Sequence, residues 1–515
     1  MSTPLLLICV IGYFILLMIV AWATSRNSDN ESFYVGNRSS NWGLVAYGMI
    51  GASLSGVTFL SVPGAVGDGA WSYFQMVLGY ILGYVVIAQV LLPLYYRLNL
   101  TSIYTYLQKR FGDSAYKTGS AYFILSRIIG ASFRLFLVAM VLDRFILSKF
   151  GIPFEATVAI TIVLIWIYSF KGGIKTIVYT DTLQTTFMLL SAIAVIFFIG
   201  KELDWSISDS VREVSNSAYS KIFEWDVNKG NNFFKNFFSG MLITIVMTGL
   251  DQDMMQKNLS CKNIGDAQKN IYSMSAALLV VNILFLALGT MLYMYMEQKG
   301  IGGTNFGNEE LMKQGHHLSM IGKDGVEAFF KKDQLFPFLS VEYFPPFIGI
   351  LFILGLMAAA YSSADSALTA LTTSFCVDFL GDGRGDKKID AKTRYKVHIG
   401  FSIILFLVII VFKLINKDSV INELFKVAGF TYGPLLGMFF FGILMKVRPV
   451  DKLIPIICIV APILTFLIDK SLSAGVFGRP FELGFLVLLL NGLLTFLFLY
   501  LSSFFNEDKS SMDSL

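Results

Sequence analysis

Long apolar segments separated by short polar ones follow one another along the entire chain. A segment of about 18 or more apolar residues is long enough to cross a bilayer as a helix. The pattern predicts thirteen membrane-spanning helices, and the first of them lacks the features of a cleaved signal peptide. They cover residues 4–24, 42–66, 72–96, 118–148, 153–170, 175–200, 233–256, 271–297, 341–376, 395–416, 420–445, 453–470 and 481–505.

The composition agrees with an all-α polytopic membrane protein. Hydrophobic residues make up 55% of the chain and charged residues 15%, whereas soluble domains carry about 25% charged residues. The net charge of +4 does not indicate a nucleic-acid partner. The four cysteines lie in spans or predicted inner loops and imply no disulfide framework. The three histidines offer no catalytic triad, so an enzyme is not expected.

Basic residues are distributed unevenly between the loops. With the N-terminus outside, the predicted inner loops hold pairs such as Lys109 with Arg110 and Lys446 with Arg448, and the short outer loops hold few. Cytoplasmic loops are enriched in Lys and Arg. We therefore expect a multi-pass protein of the cell (inner) membrane with its N-terminus outside and its C-terminus in the cytoplasm.

Loop lengths divide the chain into two blocks of five predicted helices. Because five is odd, the second block must be inverted relative to the first, as in the inverted repeats of secondary transporters. The predicted divisions are an extra N-terminal helix and inner loop (1–41), the first block (42–200), an outer loop (201–232), the second block (233–446, with an outer loop at 298–340), and two accessory helices with a short inner tail (447–515).

The first helix of the first block contains the segment "YGMIGASLSGVTFLSVPG". Its glycines and Pro63 favour an interruption of the helix, and backbone groups freed inside a membrane must find other partners. Ser53, Ser55 and Thr58 cluster where the break would fall. A cation is one possible partner for the freed groups, and close packing of small residues is the alternative.

A second unusual segment, "GLMAAAYSSADSALTALTT", begins at Gly355. On a helix, Ala359, Ser362, Ser366, Thr369 and Thr373 fall within about 80° of one another, with Asp365 and Ser363 at the two flanks. A carboxylate in the middle of a span costs about 2.5–3.5 kcal/mol. The stripe therefore indicates a bound cation, a proton or a water-filled path, and oxygen ligands suit a hard cation such as Na⁺.

A further acid, Asp181, lies just inside the sixth span, in "GGIKTIVYTDTLQTTFML". It has Thr180, Thr182, Gln184 and Thr185 beside it. Its presence also has a simpler explanation, because an acidic residue near a helix N-terminus is favoured by the helix dipole.

Taken together, these segments resemble the sodium:solute symporter family. The resemblance extends to "TGLDQDMMQKNLSCKNIGDAQK", "FTYGPLLGMFFFGI", "FYVGNRSSNWGLVAYGMIGASLSG" and "LTSIYTYLQKRFG", in order along nearly the whole chain. It implies a leucine-transporter-type fold of ten core helices, with one extra helix before them and two after. It also implies that Na⁺ entry drives the uptake of a solute by alternating access.

The resemblance implies one principal Na⁺ site and a possible second. The principal site would consist of the carbonyl groups of Gly51 and Leu54 together with Ala359, Ser362 and Ser363. The second site would consist of Asp181, Ser362, Asp365 and Ser366. Asp365 stands where family members with a second site have a hydroxyl, so it could strengthen this site or bind a proton instead.

The resemblance also implies a solute site beside the interrupted helix. Its candidates are Ser53, Ser55, Thr58, Trp71, Phe74, Gln75 and Arg134, with Arg127 as an alternative to Arg134. An arginine within a span is costly, and guanidinium suits a carboxylate. The alternatives are snorkelling of Arg127 or a salt bridge of either arginine to Asp143 or Asp181. Asp251, Gln252 and Asp253, beside Lys257, are expected to form solvated pairs or an inner gate.

The predicted function is secondary active transport of a small hydrophilic organic solute, coupled to one or two Na⁺. The solute would be a sugar, an acidic sugar such as sialic acid, or a carboxylate, and the protein is expected to work as a monomer in the lipid bilayer. A proton-coupled symporter of the same fold is the nearest alternative. A channel or a sensor fits less well, because interrupted helices around an ion site favour occlusion and the tail is too short for a signalling domain.

Overall fold

The computed structural model describes residues 3–25, 30–145, 147–169, 173–306, 308–314, 316–323, 325–382, 388–415, 420–476, 481 and 483–506. The end of the predicted inner tail, residues 507–515, lies outside this range. The membrane helices are α1 (Thr3–Thr24), α2 (Trp42–Gly69), α3 (Tyr73–Val86, continued by a π-helical turn Ile87–Leu91 and a helix Leu92–Arg97), α4 (Asp113–Phe145), α5 (Phe154–Ser169), α6 (Ile174–Glu202), α7 (Phe233–Thr244, continued by a π-helical turn Ile245–Gly249), α8 (Gln252–Leu259), α9 (Ile264–Gln298), α10 (Pro346–Ser374, continued by a π-helical turn Phe375–Phe379), α11 (Ala391–Ile415), α12 (Val420–Leu444), α13 (Ile454–Ser473) and α14 (Val487–Ser503).

The helices confirm the predicted all-α membrane architecture. Among the described residues, nine helical segments are long and apolar enough to cross a bilayer, and a bent pair, Phe233–Gly249 with Gln252–Leu259, makes a tenth. The segment Trp42–Arg97 contains both α2 and α3, and Ile8–Thr24 and Phe154–Ser169 are shorter apolar helices. The described residues therefore accommodate the thirteen predicted spans.

Two spans are interrupted within the described residues. In α2 the break is at Ser55, whose φ of 53° and ψ of 176° are not helical. The other break separates α7 from α8 at Leu250 and Asp251, where the axis bends by 64°. Each break lies in the first helix of one of the two predicted blocks, which is the arrangement expected of an inverted-repeat transporter.

Glycines allow the core helices to approach closely, as is common in membranes. A Cβ added at Gly51 of α2 would lie 2.2 Å from Thr185 Oγ1 of α6, and one added at Gly355 of α10 would lie 2.6 Å from Ser191 Cβ of α6. Helix α6 is therefore held against both the interrupted helix α2 and the hydroxyl-rich helix α10.

The two long loops have structure of their own. The loop before α7 contains a helix at Ile207–Asn216. The loop before α10 folds into an antiparallel sheet with strand order β1 (Gly302–Thr304), β2 (Leu318–Ile321) and β3 (Glu327–Phe330). The register pairs Gly302 with Met320 and Leu318 with Phe330. Short helices also occur at Asn30–Val35, Thr105–Arg110, Glu309–Lys313 and Leu335–Phe338.

Candidate functional site

The break in α2 presents backbone carbonyl groups, with partial negative charge, and backbone N–H groups, with partial positive charge, inside the membrane. A helix that stops at Leu54 leaves its last four carbonyl groups, those of residues 51–54, without partners in the helix. The half-helix that begins after Ser55 presents free N–H groups, and the Ser55 hydroxyl accepts a hydrogen bond from one of them, Val57 N, at 3.4 Å. The backbone conformation of Ser55 is sparsely populated by non-glycine residues and costs about 1–3 kcal/mol. The break therefore combines a cation-attracting carbonyl end with an anion-attracting amide end.

The hydroxyl stripe of α10 faces the protein core. Ser362 and Ser363 are each 1% exposed, and Asp365, Ser366 and Thr369 are fully buried. Helix α10 packs against α2, and a Cβ added at Gly56, next to the break, would be 3.9 Å from Ala360 Cα. Ala360 lies about 60° around the helix from Ser363 and about 160° from Ser362, so the Ser363 flank is the side of the stripe nearer to the break. The structure thus brings α10 and the interrupted part of α2 together, and the Na⁺ site between them stays a prediction.

Ser363 has an oxygen that is free to bind a ligand. Its hydroxyl is buried and makes no hydrogen bond within the described part of the chain. Buried hydroxyl groups are normally hydrogen-bonded, so this one fits a cation-binding role. The carbonyl, hydroxyl and carboxylate oxygens around it are the ligands that hard cations prefer.

Asp181 joins three helices. Its Oδ1 accepts a hydrogen bond from Ser362 Oγ of α10 at 2.7 Å, and its Oδ2 accepts one from Lys257 Nζ of α8 at 2.7 Å. Asp365 Oδ1 accepts a hydrogen bond from Ser366 N at 2.6 Å, and Asp365 lies within electrostatic range of Asp181 and Lys257. The residues of the possible second Na⁺ site are therefore gathered in one place, but a lysine ammonium already binds Asp181.

The structure corrects the expected environment of Lys257. The sequence favoured solvated pairing with the acids at 251 and 253, but Lys257 is 1% exposed and Asp251, Gln252 and Asp253 are fully buried. The reason is the bend between α7 and α8, which turns α8 into the protein, where it packs against α10.

Arg127 of α4 does not bind either of its expected partners. It forms an ion pair with Asp253, and its Nη1 lies 3.8 Å from Asp251 Oδ2. Asp251 also accepts a hydrogen bond from Tyr432 Oη at 2.5 Å and caps the start of α8 by accepting one from Asp253 N at 2.9 Å. This cluster connects α4, α8 and α12. Its role as a gate is a prediction.

Arg134 lies two turns further along α4 and is 7% exposed. Among the described residues it has no ion pair or hydrogen bond, and its Nε is buried without an acceptor. A buried guanidinium is costly unless a partner neutralises it. Arg134 is thus available to an anion.

Arg127 and Arg134 line one central cavity beside the break in α2. The cavity encloses about 90 Å³, which is less than the roughly 300–1,000 Å³ typical of small-molecule sites. Its walls must therefore move apart to admit an organic solute. The other lining residues are Ala52, Ser53, Leu54, Ser55, Val57, Thr58, Tyr73, Tyr80, Tyr84, Ile243, Thr244, Met247, Thr248, Met254, Leu278, Asn282, Leu424 and Phe425.

Three predicted solute-site residues lie elsewhere. Trp71 donates a hydrogen bond from Nε1 to Thr290 Oγ1 at 2.9 Å, Gln75 donates to Asn231 O at 3.0 Å, and Phe74 is buried away from the cavity. Helix α3 begins only at Tyr73. Residues 71–75 therefore lie at its outer end, and Gln75 points toward the loop before α7.

Other residues of α3 and α9 line the central cavity. Tyr73, Tyr80 and Tyr84 share the face of α3 that lines the cavity, and Asn282 of α9 lines it from another side. The spacing of the tyrosines by seven and four residues is a helical pattern that could have identified this face. Asn282 could have been found as an amide in the middle of an apolar span.

The central cavity adjoins a larger one of about 410 Å³ on the side of the two long loops. Tyr73 and Phe425 line both cavities, and the larger one also contains Asn231 and the ion pair of Lys332 with Asp68 at 2.7 Å. The Arg127 cluster lies toward α8. The central cavity and the larger cavity share the wall formed by Tyr73 and Phe425.

Comparison with known proteins identifies the family. The model of the sodium:solute symporter family matches residues 33–448. The chain belongs to the sodium:solute symporter family. The protein is accordingly a membrane transporter, not an enzyme, and it couples Na⁺ to the uptake of a small solute.

Two relatives share about a quarter of their residues with this chain. The sodium/sialic acid symporter NanT of Aliivibrio fischeri is 26% identical over 92% of this chain and 89% of its own length. The sodium-coupled monocarboxylate transporter 2 of Bos taurus is 24% identical over 81% of this chain, which spans only 64% of that relative.

The fold is shared with solved symporters. A Na⁺-coupled sialic acid symporter in a substrate-bound, outward-open state has a TM-score of 0.78 at 20% identity, over 97% of this chain and 98% of its own. A nucleobase-cation-symport-1 family transporter has a TM-score of 0.54 at 12% identity, over 93% and 95%. The inverted-repeat transporter fold predicted from the sequence is thereby confirmed.

Proposed function

We propose that this symporter takes up a small hydrophilic organic acid, whose carboxylate binds Arg134. The unpaired, buried guanidinium of Arg134 in the central cavity is the observation that carries the proposal. The amide end of the second half of α2 supports it, because Ser55, Val57 and Thr58 line the same cavity and a helix N-terminus attracts anions. The sialic acid and monocarboxylate transporters among its relatives also carry acids.

Sodium binds, in this proposal, between the carbonyl groups of Gly51 and Leu54 and the α10 residues Ala359, Ser362 and Ser363. The free Ser363 hydroxyl and the interruption after Leu54 support this principal site. Carbonyl groups at the end of the first half-helix carry partial negative charge. The same ion would therefore hold α2 and α10 together while it is bound.

A second cation, bound near Asp181, Ser362, Asp365 and Ser366, follows from energetic reasoning. One Na⁺ crossing about 100 mV releases roughly 2.3 kcal/mol, and a tenfold gradient adds roughly 1.4. A monoanionic solute cancels the electrical part, so one Na⁺ would support only about tenfold accumulation. Two Na⁺ restore the electrical driving force.

A count of the buried charges also favours two cations per solute anion. Among the named groups around the cavity and the stripe, Asp181, Asp251, Asp253 and Asp365 are acidic, and Arg127, Arg134 and Lys257 are basic. With all of them ionised, four negative and three positive charges leave one negative charge. One Na⁺ neutralises this charge, and a bound monoanion requires a second cation, because uncompensated buried charge is costly.

The remaining assignments are also proposals. The protein lies in the cell (inner) membrane with its N-terminus outside and its C-terminus in the cytoplasm. It works as a monomer. Residues 42–200 and 233–446 form the two inverted repeats, flanked by the segments 1–41 and 447–515. The loops 201–232 and 298–340 lie outside.

Uptake into proteoliposomes tests the coupling. Purified protein, reconstituted and loaded with K⁺, is given radiolabelled sialic acid or a short monocarboxylate in Na⁺ or in choline buffer. Accumulation that requires Na⁺ and rises with an inside-negative potential supports two Na⁺ per anion. Accumulation driven in Na⁺-free buffer by an imposed pH gradient would instead establish proton coupling. Absence of accumulation of any organic acid would overturn the proposal.

A further inference from the structure

Asn282 is a polar side chain that the ion and carboxylate sites do not use. It lies near the middle of α9, is 2% exposed and lines the central cavity. Polar side chains in membrane spans normally face a partner helix or a cavity rather than lipid. Asn282 is therefore placed to contact whatever occupies the cavity.

The orientation of the Asn282 amide follows from its neighbour. Its Nδ2 donates a hydrogen bond to Leu278 O at 2.7 Å. A carbonyl oxygen can only accept, so the nitrogen must face Leu278 and Oδ1 must point away from it. Oδ1 is buried and has no hydrogen-bond donor within the described residues. The free group in the cavity is thus an acceptor.

The acceptor lies across the cavity from the arginines. Helix α9 packs against α2, α3 and α6, whereas α4, which carries Arg134, packs against α10, α11 and α12. Both α4 and α9 pack against α2. Next to its break, Ser53 Oγ donates a hydrogen bond to Met274 Sδ of α9 at 3.8 Å, and a Cβ added at Gly56 would lie 2.9 Å from Val138 Cγ2 of α4. The cavity therefore has a guanidinium on one wall and a carboxamide oxygen on the other, with Thr244 and Thr248 of the α7 segment as additional hydroxyl groups.

We propose that Asn282 determines solute specificity by accepting a hydrogen bond from a hydroxyl or N–H group of the solute, at the end away from its carboxylate. The solute is then a hydroxylated acid, such as a sugar acid, and not a short-chain monocarboxylate. This inference rests on the proposed function, because it takes the carboxylate to be bound at Arg134. A site built to bind a hydroxyl group rejects analogues that lack it, since its own polar group is left unpaired.

The test compares ligands that differ only in hydroxyl groups. Gluconate and hexanoate have the same number of carbon atoms and the same carboxylate. Binding of each, and of sialic acid as a larger hydroxylated probe, is measured by calorimetry on the full-length protein in saturating Na⁺. We expect wild-type protein to bind at least one of the hydroxylated acids at least tenfold more tightly than hexanoate.

Variants then assign the preference to Asn282. Asn282→Ala removes the acceptor, and Asn282→Ser keeps a hydrogen-bonding oxygen in a shorter side chain. We expect Asn282→Ala to weaken binding of the hydroxylated acid at least tenfold and to leave hexanoate binding unchanged, with Asn282→Ser intermediate. Equal loss for both ligands in Asn282→Ala would mean a structural role and would overturn the inference.

The comparison in the wild-type protein needs no variant, so it remains decisive if the variants do not fold. Wild-type protein that binds hexanoate as tightly as the hydroxylated acids overturns the role of Asn282 and leaves the carboxylate site intact. Wild-type protein that binds none of the three acids contradicts the proposed function itself.

Discussion

Lys257 Nζ lies 2.7 Å from Asp181 Oδ2, and both side chains are 1% exposed. The same carboxylate accepts a hydrogen bond from Ser362 of the α10 stripe through its other oxygen. One buried ion pair therefore connects α8, which follows the break of the second block, to α6 and α10. Any movement of α8 during transport must either carry α6 with it or break this pair.

Removal of the lysine alone should be strongly destabilising. In Lys257→Met the carboxylate of Asp181 loses its partner, and an uncompensated buried charge costs about 3–5 kcal/mol. We expect a clear fall in the melting temperature of the purified protein in Na⁺-free detergent solution. The double variant Asp181→Asn with Lys257→Met should recover most of the loss. Equal stability of Lys257→Met and wild type would show that the pair does not form.

Ser363→Ala should weaken Na⁺ binding. The free hydroxyl of Ser363 is the proposed ligand, and we take the value of a hydrogen bond to a charged group, about 1.5–3 kcal/mol, as the scale of its contact with Na⁺. We expect the Na⁺ concentration for half-maximal uptake to rise about tenfold or more, with the maximal rate largely retained at saturating Na⁺.

Ser402→Ala is the matched control for that variant. Ser402 is also a buried membrane serine, but its hydroxyl donates a hydrogen bond to His398 O of its own helix at 2.9 Å. Its removal should leave the Na⁺ dependence of uptake unchanged. A shift of similar size in both variants would argue against a specific Na⁺ ligand at Ser363.

Much of this site can be predicted from the sequence, because its main elements have local signals. The stripe on α10 follows from helical periodicity, and the break in α2 follows from glycine and serine at the centre of a span. The pairing of Lys257 with Asp181 spans 76 residues, and no local pattern indicates which charges will meet. Trp71, Phe74 and Gln75 do not line the central cavity, because the face of α3 that meets it carries Tyr73, Tyr80 and Tyr84.

Substitution of Arg134 is expected to weaken solute binding and to leave Na⁺ binding unchanged. Arg134→Gln removes the charge, and Arg134→Lys keeps it but cannot form two parallel hydrogen bonds to a carboxylate. We expect binding of the transported acid to weaken about 100-fold in Arg134→Gln and less in Arg134→Lys, since each charge-assisted hydrogen bond contributes about 1.5–3 kcal/mol.

Calorimetry measures binding of the acid to the Arg134 variants. Thermal stabilisation by Na⁺ in the absence of acid measures their Na⁺ binding. Stabilisation by Na⁺ should persist in both variants. If Arg134→Gln bound the acid with unchanged affinity, the carboxylate would have to bind elsewhere, and the paired Arg127 would be the next candidate.

The cluster around Arg127 should stabilise the segment between α7 and α8 against local opening. Asp253→Asn removes the ion pair to Arg127 but keeps a side chain of the same shape next to the break at Asp251. We expect amide hydrogen exchange in residues 245–259 to become at least tenfold faster, because the opening free energy of this segment falls by about 1.4 kcal/mol or more. Asp266→Asn is the control, since the Asp266 carboxylate forms a surface ion pair with Lys269 at 4.0 Å and accepts a hydrogen bond from Asn263 Nδ2 at 3.2 Å, and surface pairs contribute about 0–1 kcal/mol. Faster exchange in Asp253→Asn alone would show that the buried pair of Arg127 with Asp253 stabilises this segment. Unchanged exchange would mean that the packing of α8 against α10 is sufficient without the pair.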